Sequence, residues 1–472
     1  MLAKHLDTKG PKLVKQPITE GLVLTRRPER RQGRPYIVAP KMVDTPWGDS
    51  STLHDQKLPP GRATPAEVVR DNQRRRLFAA LVAAVEAKGY ERVRVADLLA
   101  LSGVSRKAFY EIFSNKQDCL LEAVEALIEM TIVPVLSAID KPPGMERVAE
   151  AFNAFIESVA AQPAAARMCV VEIYAAGPKA VAVADRAMDA AAKLMQQSLD
   201  QMPGREGMPP EISRAMVGGL RKIMHKRLYR HEEVELMKLV PQMWQWGLTY
   251  LPPPEPLRRP RGRRPRKPYP LESYEPSERI LRALAAAVAE HGYPGTKLSE
   301  IARRASISLS TFYEHFDGKE EAMRAAVDSG SAQMLAAMLP AFRRASDWPD
   351  SIRLTYEAMF AWAASEPDYA QLGAVEVYAA GRRILEQRDQ VMEGLEALLN
   401  PGYELAPDTS PIAAEAIGGA IYALIYDQVK VGGPESLPQI GPLATYITLA
   451  PFLGAEEACA VANRDGRGRE AR

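Results

Sequence analysis

"AFYEIFSNK", residues 108–116, and "TFYEHFDGK", residues 311–319, are nearly the same nine residues placed 203 positions apart. Their flanks align too. "EAKGYERVRVADLLALSGVSRKAFYEIFSNK" lies over "AEHGYPGTKLSEIARRASISLSTFYEHFDGK" without a gap, keeping a Gly-Tyr pair at residues 89–90 and 292–293. Further on, "VEIYAAG" (Val171 to Gly177) matches "VEVYAAG" (Val375 to Gly381), and "MVGGL" (Met216) matches "AIGGA" (Ala416). Offsets of 203, 204 and 200 over so long a stretch predict duplication of a whole domain, with a period far too long for a solenoid.

Each copy reads as helix. Leu77, Leu81 and Val85 recur four apart, Leu281, Leu284 and Val288 recur at three- and four-residue steps, and Ala, Leu, Glu, Arg and Met are abundant. Within residues 95–113, "VADLLALSG" is amphipathic, "SGVS" is a turn, and Ser105 is placed to cap the helix "SRKAFYEIF". In that second helix Phe109 and Phe113 share the buried face while Arg106, Lys107 and Tyr110 point outward. Two short helices joined by a tight turn, the second presenting cations and a phenol, form a helix-turn-helix suited to the DNA major groove.

Both copies resemble the DNA-binding part of the TetR (AcrR-like) family of transcription regulators, whose recognition helix follows "GVSxxTxYxxFxxK". Copy one supplies Gly103, Val104, Ser105, Tyr110, Phe113 and Lys116; copy two supplies Ile307, Ser308, Thr311, Tyr313, Phe316 and Lys319. The resemblance implies an all-α chain of two tandem units, each a three-helix DNA-binding domain followed by a helical ligand-binding and dimerising bundle. It implies that Tyr110 and Tyr313 donate to phosphates, and that Lys116 and Lys319 meet phosphate at the start of the next helix. The expected DNA contacts are Ser105, Arg106, Lys107, Ala108, Tyr110 and Lys116 in copy one, and Thr296, Ser308, Leu309, Ser310, Thr311, Tyr313, His315 and Lys319 in copy two. The four phenylalanines, Phe109, Phe113, Phe312 and Phe316, are expected in the core.

The heads differ where bases are read. Copy one has Ala108 and Ile112 where copy two has Thr311 and His315. Arg106 and Lys107 suit guanine O6 and N7, whereas Leu309 and Thr311 suit a thymine methyl. Copy two also has Ser306 in place of Gly103; a turn that needs positive φ there charges Ser about 1 kcal/mol.

Between the copies, "RRPRGRRPRK" (Arg258 to Lys267) packs seven cations into ten residues around a Gly. It resembles an AT-hook with an interrupted core, which places Arg261, Arg263 and Arg264 in the narrow minor groove of A·T-rich DNA. A weaker relative, "RRPERRQGRPY" (Arg26 to Tyr36), precedes copy one. A solvated linker kept soluble by charge is the alternative for both stretches.

The expected boundaries are an extended, partly disordered region 1–65, helix-turn-helix domains at 66–120 and 274–323, bundles at 121–251 and 324–458, a linker at 252–273 and a tail at 459–472. In each bundle a Gly-Gly pair inside an apolar helix predicts close approach of another helix. In the resembled family the last two helices form a dimer interface, which leaves two arrangements: an internal pseudo-dimer, or pairing with a second chain. Met168, Glu172, Tyr174, Glu376 and Tyr378 are candidates for a ligand pocket taking a small hydrophobic effector; satisfying a turn or a helix end is their alternative role.

Composition, 46% hydrophobic and 25% charged, is that of ordinary soluble proteins, and a net charge of +2 alone argues for no polyanionic partner. No apolar run approaches the about 18 residues of a membrane span, and the start lacks a secretory core, so a cytoplasmic chain is expected. Cys119, Cys169 and Cys459 stand far apart, and His225 and His231 lie on different helix faces, so neither a disulfide nor a metal or other cofactor is expected. No nucleophile motif or phosphate loop points to an enzyme. The resulting expectation is a bacterial regulator of the repressor kind, binding duplex DNA with both heads. Its rivals are an effector-independent architectural DNA-binding protein and a helical interaction module whose DNA-binding surfaces have decayed.

Overall fold

The computed structural model describes residues 42–58, 64–137, 144–260 and 270–464, and among them regular structure is helical throughout. Copy one comprises α1 (Ala66–Lys88), α2 (Val95–Ser102), α3 (Arg106–Ile112), α4 (Lys116–Ser137), α5 (Met145–Ala161), α6 (Pro163–Val170), α7 (Pro178–Leu199), α8 (Pro210–Tyr229) and α9 (Val234–Leu248). Copy two repeats the order in α10 (Pro276–Gly295), α11 (Leu298–Arg304), α12 (Leu309–His315), α13 (Lys319–Arg344), α14 (Trp348–Ser365), α15 (Pro367–Ala374) and α16 (Arg382–Glu396). It then inserts the short α17 (Asn400–Leu405) before α18 (Ala413–Gly432) and α19 (Gly441–Ala462).

The boundaries at 120 and 323 fall inside continuous helices. α4 and α13 each begin at the lysine closing the repeated nonapeptide and run on into the bundle, so the DNA-binding domain has no flexible joint below it. At the far end, α19 continues to Ala462 with Cys459 and Val461 buried, which makes the first part of the supposed tail a helix. Residues 42–58 also depart from the expected extended arm. Leu53 is fully buried against Ala79 and Ala80, the Trp47 ring lies 5.0 Å from Phe78, and His54 Nε2 is 2.9 Å from the Ala100 carbonyl.

Hydrophobic burial divides the molecule by layer rather than by copy. One apolar cluster joins the cores of both DNA-binding domains through Tyr174, Tyr378 and Tyr426. The second joins α5, α8 and α9 of copy one to α14, α18 and α19 of copy two.

The seam between copies is α8 against α18. A Cβ on Gly219 would stand 2.6 Å from the Ala416 carbonyl, and one on Gly419 would stand 2.7 Å from the Gly218 carbonyl, so the paired glycines let two backbones touch. Charges across this seam are sorted by copy. Arg214 pairs with Asp427 at 2.6 Å, Lys226 and Arg230 each with Glu393 at 3.1 Å, Lys222 with Glu396, and Arg227 with Glu415. The reverse polarity appears at Lys430 and Asp185, 2.5 Å apart. Tyr250 and Tyr446 close the seam by donating to the carbonyls of Ile447 and Leu251.

Candidate nucleic-acid interface

Each recognition helix is started by a serine. Ser105 Oγ accepts from Ala108 N at 3.1 Å, and Ser308 Oγ accepts from Thr311 N at 3.0 Å. The turn before copy one's cap is Gly103 at φ 63°, ψ 20°, and Ser306 adopts φ 53° at the same place. The left-handed turn is therefore kept in copy two although its residue carries a Cβ. Phe109, Phe113 and Phe312 are buried and Phe316 packs against the same core, which fixes the opposite face outward.

On that outward face Ser105, Arg106 and Lys107 are exposed, and Tyr110 is 52% exposed. Lys107 has Glu111 at 3.8 Å as a weak, solvated partner. Copy two presents Ser308, Leu309, Ser310, Tyr313 and His315, all exposed. Ala108 and Ile112 turn partly into the core, and the Thr311 hydroxyl lies 3.0 Å from that of Ser308. The chemical difference between the heads thus lies mainly in Arg106-Lys107 against Leu309-Ser310.

Three expected contacts take other roles. Lys116 donates to the carbonyls of Tyr90 and Val93, at 2.9 Å each, and its ammonium lies 4.0 Å from the centre of the Tyr90 ring. Lys319 repeats this with Tyr293 and Thr296 at 2.8 and 3.0 Å, over the Tyr293 ring. Two of three ammonium protons are thereby committed within the domain, which leaves one on each lysine. Burial holds both amines below the ordinary lysine range. Thr296 is buried, and its hydroxyl donates to the carbonyls of Ala287 and Gly292 rather than to DNA.

The glutamates proposed for a pocket belong to the same device. Glu172 accepts from the Tyr90 backbone N–H at 2.8 Å, and Glu376 from that of Tyr293 at 3.2 Å. Each Gly-Tyr turn is thus held on its N–H by the bundle and on its C=O by the lysine below the recognition helix. Met168 is fully buried in the core. Ion pairs reinforce the joint: Arg167 bridges Glu86 and Glu233 in copy one, and Arg282 bridges Glu278 and Glu366 in copy two. The repeated "GY" and "VE" signalled this in the sequence, but their partners are 82 and 83 residues away.

Residues 77–123 and 280–326 both match the family model of bacterial regulatory proteins of the tetR family. The chain carries two TetR-family DNA-binding units in tandem. Similar solved structures include the fatty acid degradation regulator FadR of Bacillus halodurans, at 19% identity over 38% of this chain and 96% of that one, with a TM-score of 0.35. FadR of Bacillus subtilis, determined with stearoyl-CoA, is 18% identical over 37% and 97% of the two chains, TM-score 0.33. The TetR regulator PfmR of Thermus thermophilus is 20% identical over 37% and 95%, TM-score 0.31. No curated protein matches the chain.

Two cavities lie behind the TetR-type heads. One, of about 180 Å³, is in the bundle of copy two, walled by Met334, Met338, Ile352, Met359, Phe360 and Met392 among others. The second, about 360 Å³, lies between the copies and includes Tyr174 and Tyr378 in its wall. Among the described residues no helix is long and apolar enough to cross a membrane. Arg261, Arg263, Arg264 and the stretch Arg26 to Tyr36 lie outside the described residues.

Proposed function

We propose that this TetR-type regulator is a repressor that reads an operator with two unlike halves, using its two copies as an intramolecular pseudo-dimer. The observation that carries the reading is the polarity of the contact between α8 and the helices α16 and α18, where copy one supplies Arg214, Lys222, Lys226, Arg227 and Arg230 and copy two supplies the carboxylates. Pairing copy one with copy one of another chain would bring cations against cations, a repulsive element that disfavours the homotypic dimer. The heads then act as a linked pair in which engagement of one raises the effective concentration of the other. Ser105, Arg106, Lys107, Ala108 and Tyr110 form one DNA-reading surface; Ser308, Leu309, Ser310, Thr311, Tyr313 and His315 form the other. Arg261, Arg263 and Arg264 follow the minor groove between or beside the half-sites.

The apolar cavity in copy two suits a small hydrophobic effector, as concave sites with mostly apolar walls do. Its wall includes Val377, next in sequence to the Glu376 that holds the Gly-Tyr turn of the second head. Filling it changes packing directly beneath that head. Selecting binding sites from random DNA with the purified chain, with its mass measured in solution, tests the reading. A single chain on an asymmetric site is expected; two chains on a perfect palindrome overturn the pseudo-dimer.

A further inference from the structure

Of the cations that α8 directs at copy two, Arg221 alone has no carboxylate among the described residues. Arg214, Lys222, Lys226, Arg227 and Arg230 each meet one. The Arg221 guanidinium lies 4.7 Å from the centre of the Tyr174 ring, and no hydrogen bond or ion pair to it occurs among the described residues. It faces the 360 Å³ cavity between the copies.

The opposite wall carries a second under-satisfied cation. Arg388 donates through Nε and Nη2 to Asp389 Oδ1, at 3.0 and 2.6 Å, and stacks near the rings of Tyr378 and Tyr422. Its Nη1 is buried without a hydrogen-bond partner. Besides Asp389, the carboxylates that line the cavity are committed elsewhere: Asp185 to Tyr426 and Lys430, Glu386 to Tyr229, Glu393 to Lys226 and Arg230. A cation withdrawn from water without a counter-charge is costly, and ring faces offset only part of that cost.

The two seam helices that help wall the cavity have diverged in a complementary way. Where α8 has Arg221, Lys222, His225 and Lys226, the aligned positions of α18 hold Ile421, Tyr422, Ile425 and Tyr426. At these positions α8 contributes basic side chains and α18 contributes two aromatic and two aliphatic ones. Arg230, 47% exposed at the rim, marks where the cavity meets solvent.

We propose that the inter-copy cavity is a binding site for a small aromatic carboxylate, whose anion is held by Arg221 and whose ring packs among Tyr174, Tyr378 and Tyr422. Guanidinium matches carboxylate in a planar, charge-assisted geometry, and the tyrosines give the apolar body flat walls. This site goes beyond the regulatory reading and does not depend on it, since occupancy requires no DNA.

Calorimetric titration of the full chain without DNA decides the matter, using benzoate and phenylacetate as probes, benzamide as the uncharged isostere and inorganic phosphate as the ring-free anion. The expected result is one benzoate or phenylacetate per chain, bound more tightly than benzamide or phosphate. Arg221→Gln should weaken the carboxylates about tenfold or more, the loss of a charge-assisted pair, and leave benzamide unchanged. Arg221→Met should raise the melting temperature of the ligand-free chain, which confirms that a variant at this position folds. Carboxylates binding no better than benzamide, phosphate binding as well as benzoate, or equal binding to Arg221→Gln would each overturn the proposal.

Discussion

Tyr174 and Tyr378 occupy the same position in the two copies and meet each other ring to ring, centroids 4.5 Å apart and planes inclined by 31°. Each stands two residues beyond the glutamate that holds the Gly-Tyr turn of its own DNA-binding domain. The contact therefore joins the two joints on which the heads sit. Burial pushes the Tyr174 phenol up to about 12, so that ring stays neutral and packs as apolar surface. Each tyrosine shares a short 3-10 turn, Glu172–Ala176 or Glu376–Ala379, with that glutamate.

The lysine staple makes a prediction opposite in kind to a phosphate contact. Lys116→Met or Lys319→Met strips hydrogen bonds from two carbonyls in the Gly-Tyr turn, and should destabilise the chain by about 1–3 kcal/mol in urea unfolding. The slope of log K against log salt for DNA binding should stay unchanged. A slope flattened by about 0.9 would show that the ammonium reaches phosphate after all.

The helix-turn-helix was legible because Phe109, Phe113 and their counterparts show which face is buried without any knowledge of long-range partners. The Gly-Gly pairs likewise announced a close helix contact. The internal hydrogen bonds of Lys116, Lys319 and Thr296 were not legible because they depend on which carbonyls lie within reach, and Tyr90 and Val93 are brought to Lys116 only by the fold. Trp47 and Leu53 stood alone in a Pro- and Gly-rich stretch with no periodicity, so nothing local indicated that they pack on α1. The sorting of charges along α8 and α18 emerges only when one helix is laid against the other.

That sorting can be tested by exchange. Arg227→Glu places like charges at a nearly buried contact with Glu415 and should cost about 3 kcal/mol or more. Adding Glu415→Arg should restore most of the loss, because the pair is simply inverted. If the double variant is no more stable than the single, thermal melting will have shown that these charges do not select the partner.

His225 gives the seam a pH dependence. Burial, and next the charge of Arg221, push its imidazole down to about 3 from the ordinary 6.5. Below about pH 6.5 the unfolded chain takes up a proton that the folded chain refuses, so stability contributed by this group is present above that pH and declines as pH falls. The slope is at most about 1.4 kcal/mol per pH unit. His225→Asn should flatten the fall in melting temperature between about pH 6.5 and 5 relative to the parent chain. Parallel curves would mean that the imidazole titrates normally.

The minor-groove role proposed for the linker cations gives a separate prediction. Replacing Arg261, Arg263 and Arg264 with Gln should weaken binding by several kcal/mol at most, at roughly 1 kcal/mol or less per exposed contact. The loss should fall mainly on probes with A·T-rich flanks. Equal losses on G·C-rich flanks would identify a nonspecific polycation.

Operator symmetry is the most direct consequence of fusing two diverged heads. A homodimer presents identical recognition helices and therefore favours palindromes. Here Arg106 and Lys107 are exposed at the start of α3, while Leu309 and Ser310 hold the same places in α12. A bidentate Arg contact to guanine discriminates against a wrong base by about 1–3 kcal/mol, whereas a leucine beside a thymine methyl and a serine that donates or accepts are more permissive. The selected sites should accordingly show a stringent, G·C-preferring half under copy one and a laxer, T-containing half under copy two. Arg106→Ala should relax base preference in the stringent half alone and cost about 1–3 kcal/mol there. Leu309→Ala should alter only the other half. The assignment fails if either substitution changes both halves equally, because each half-site would then be read by the same helix.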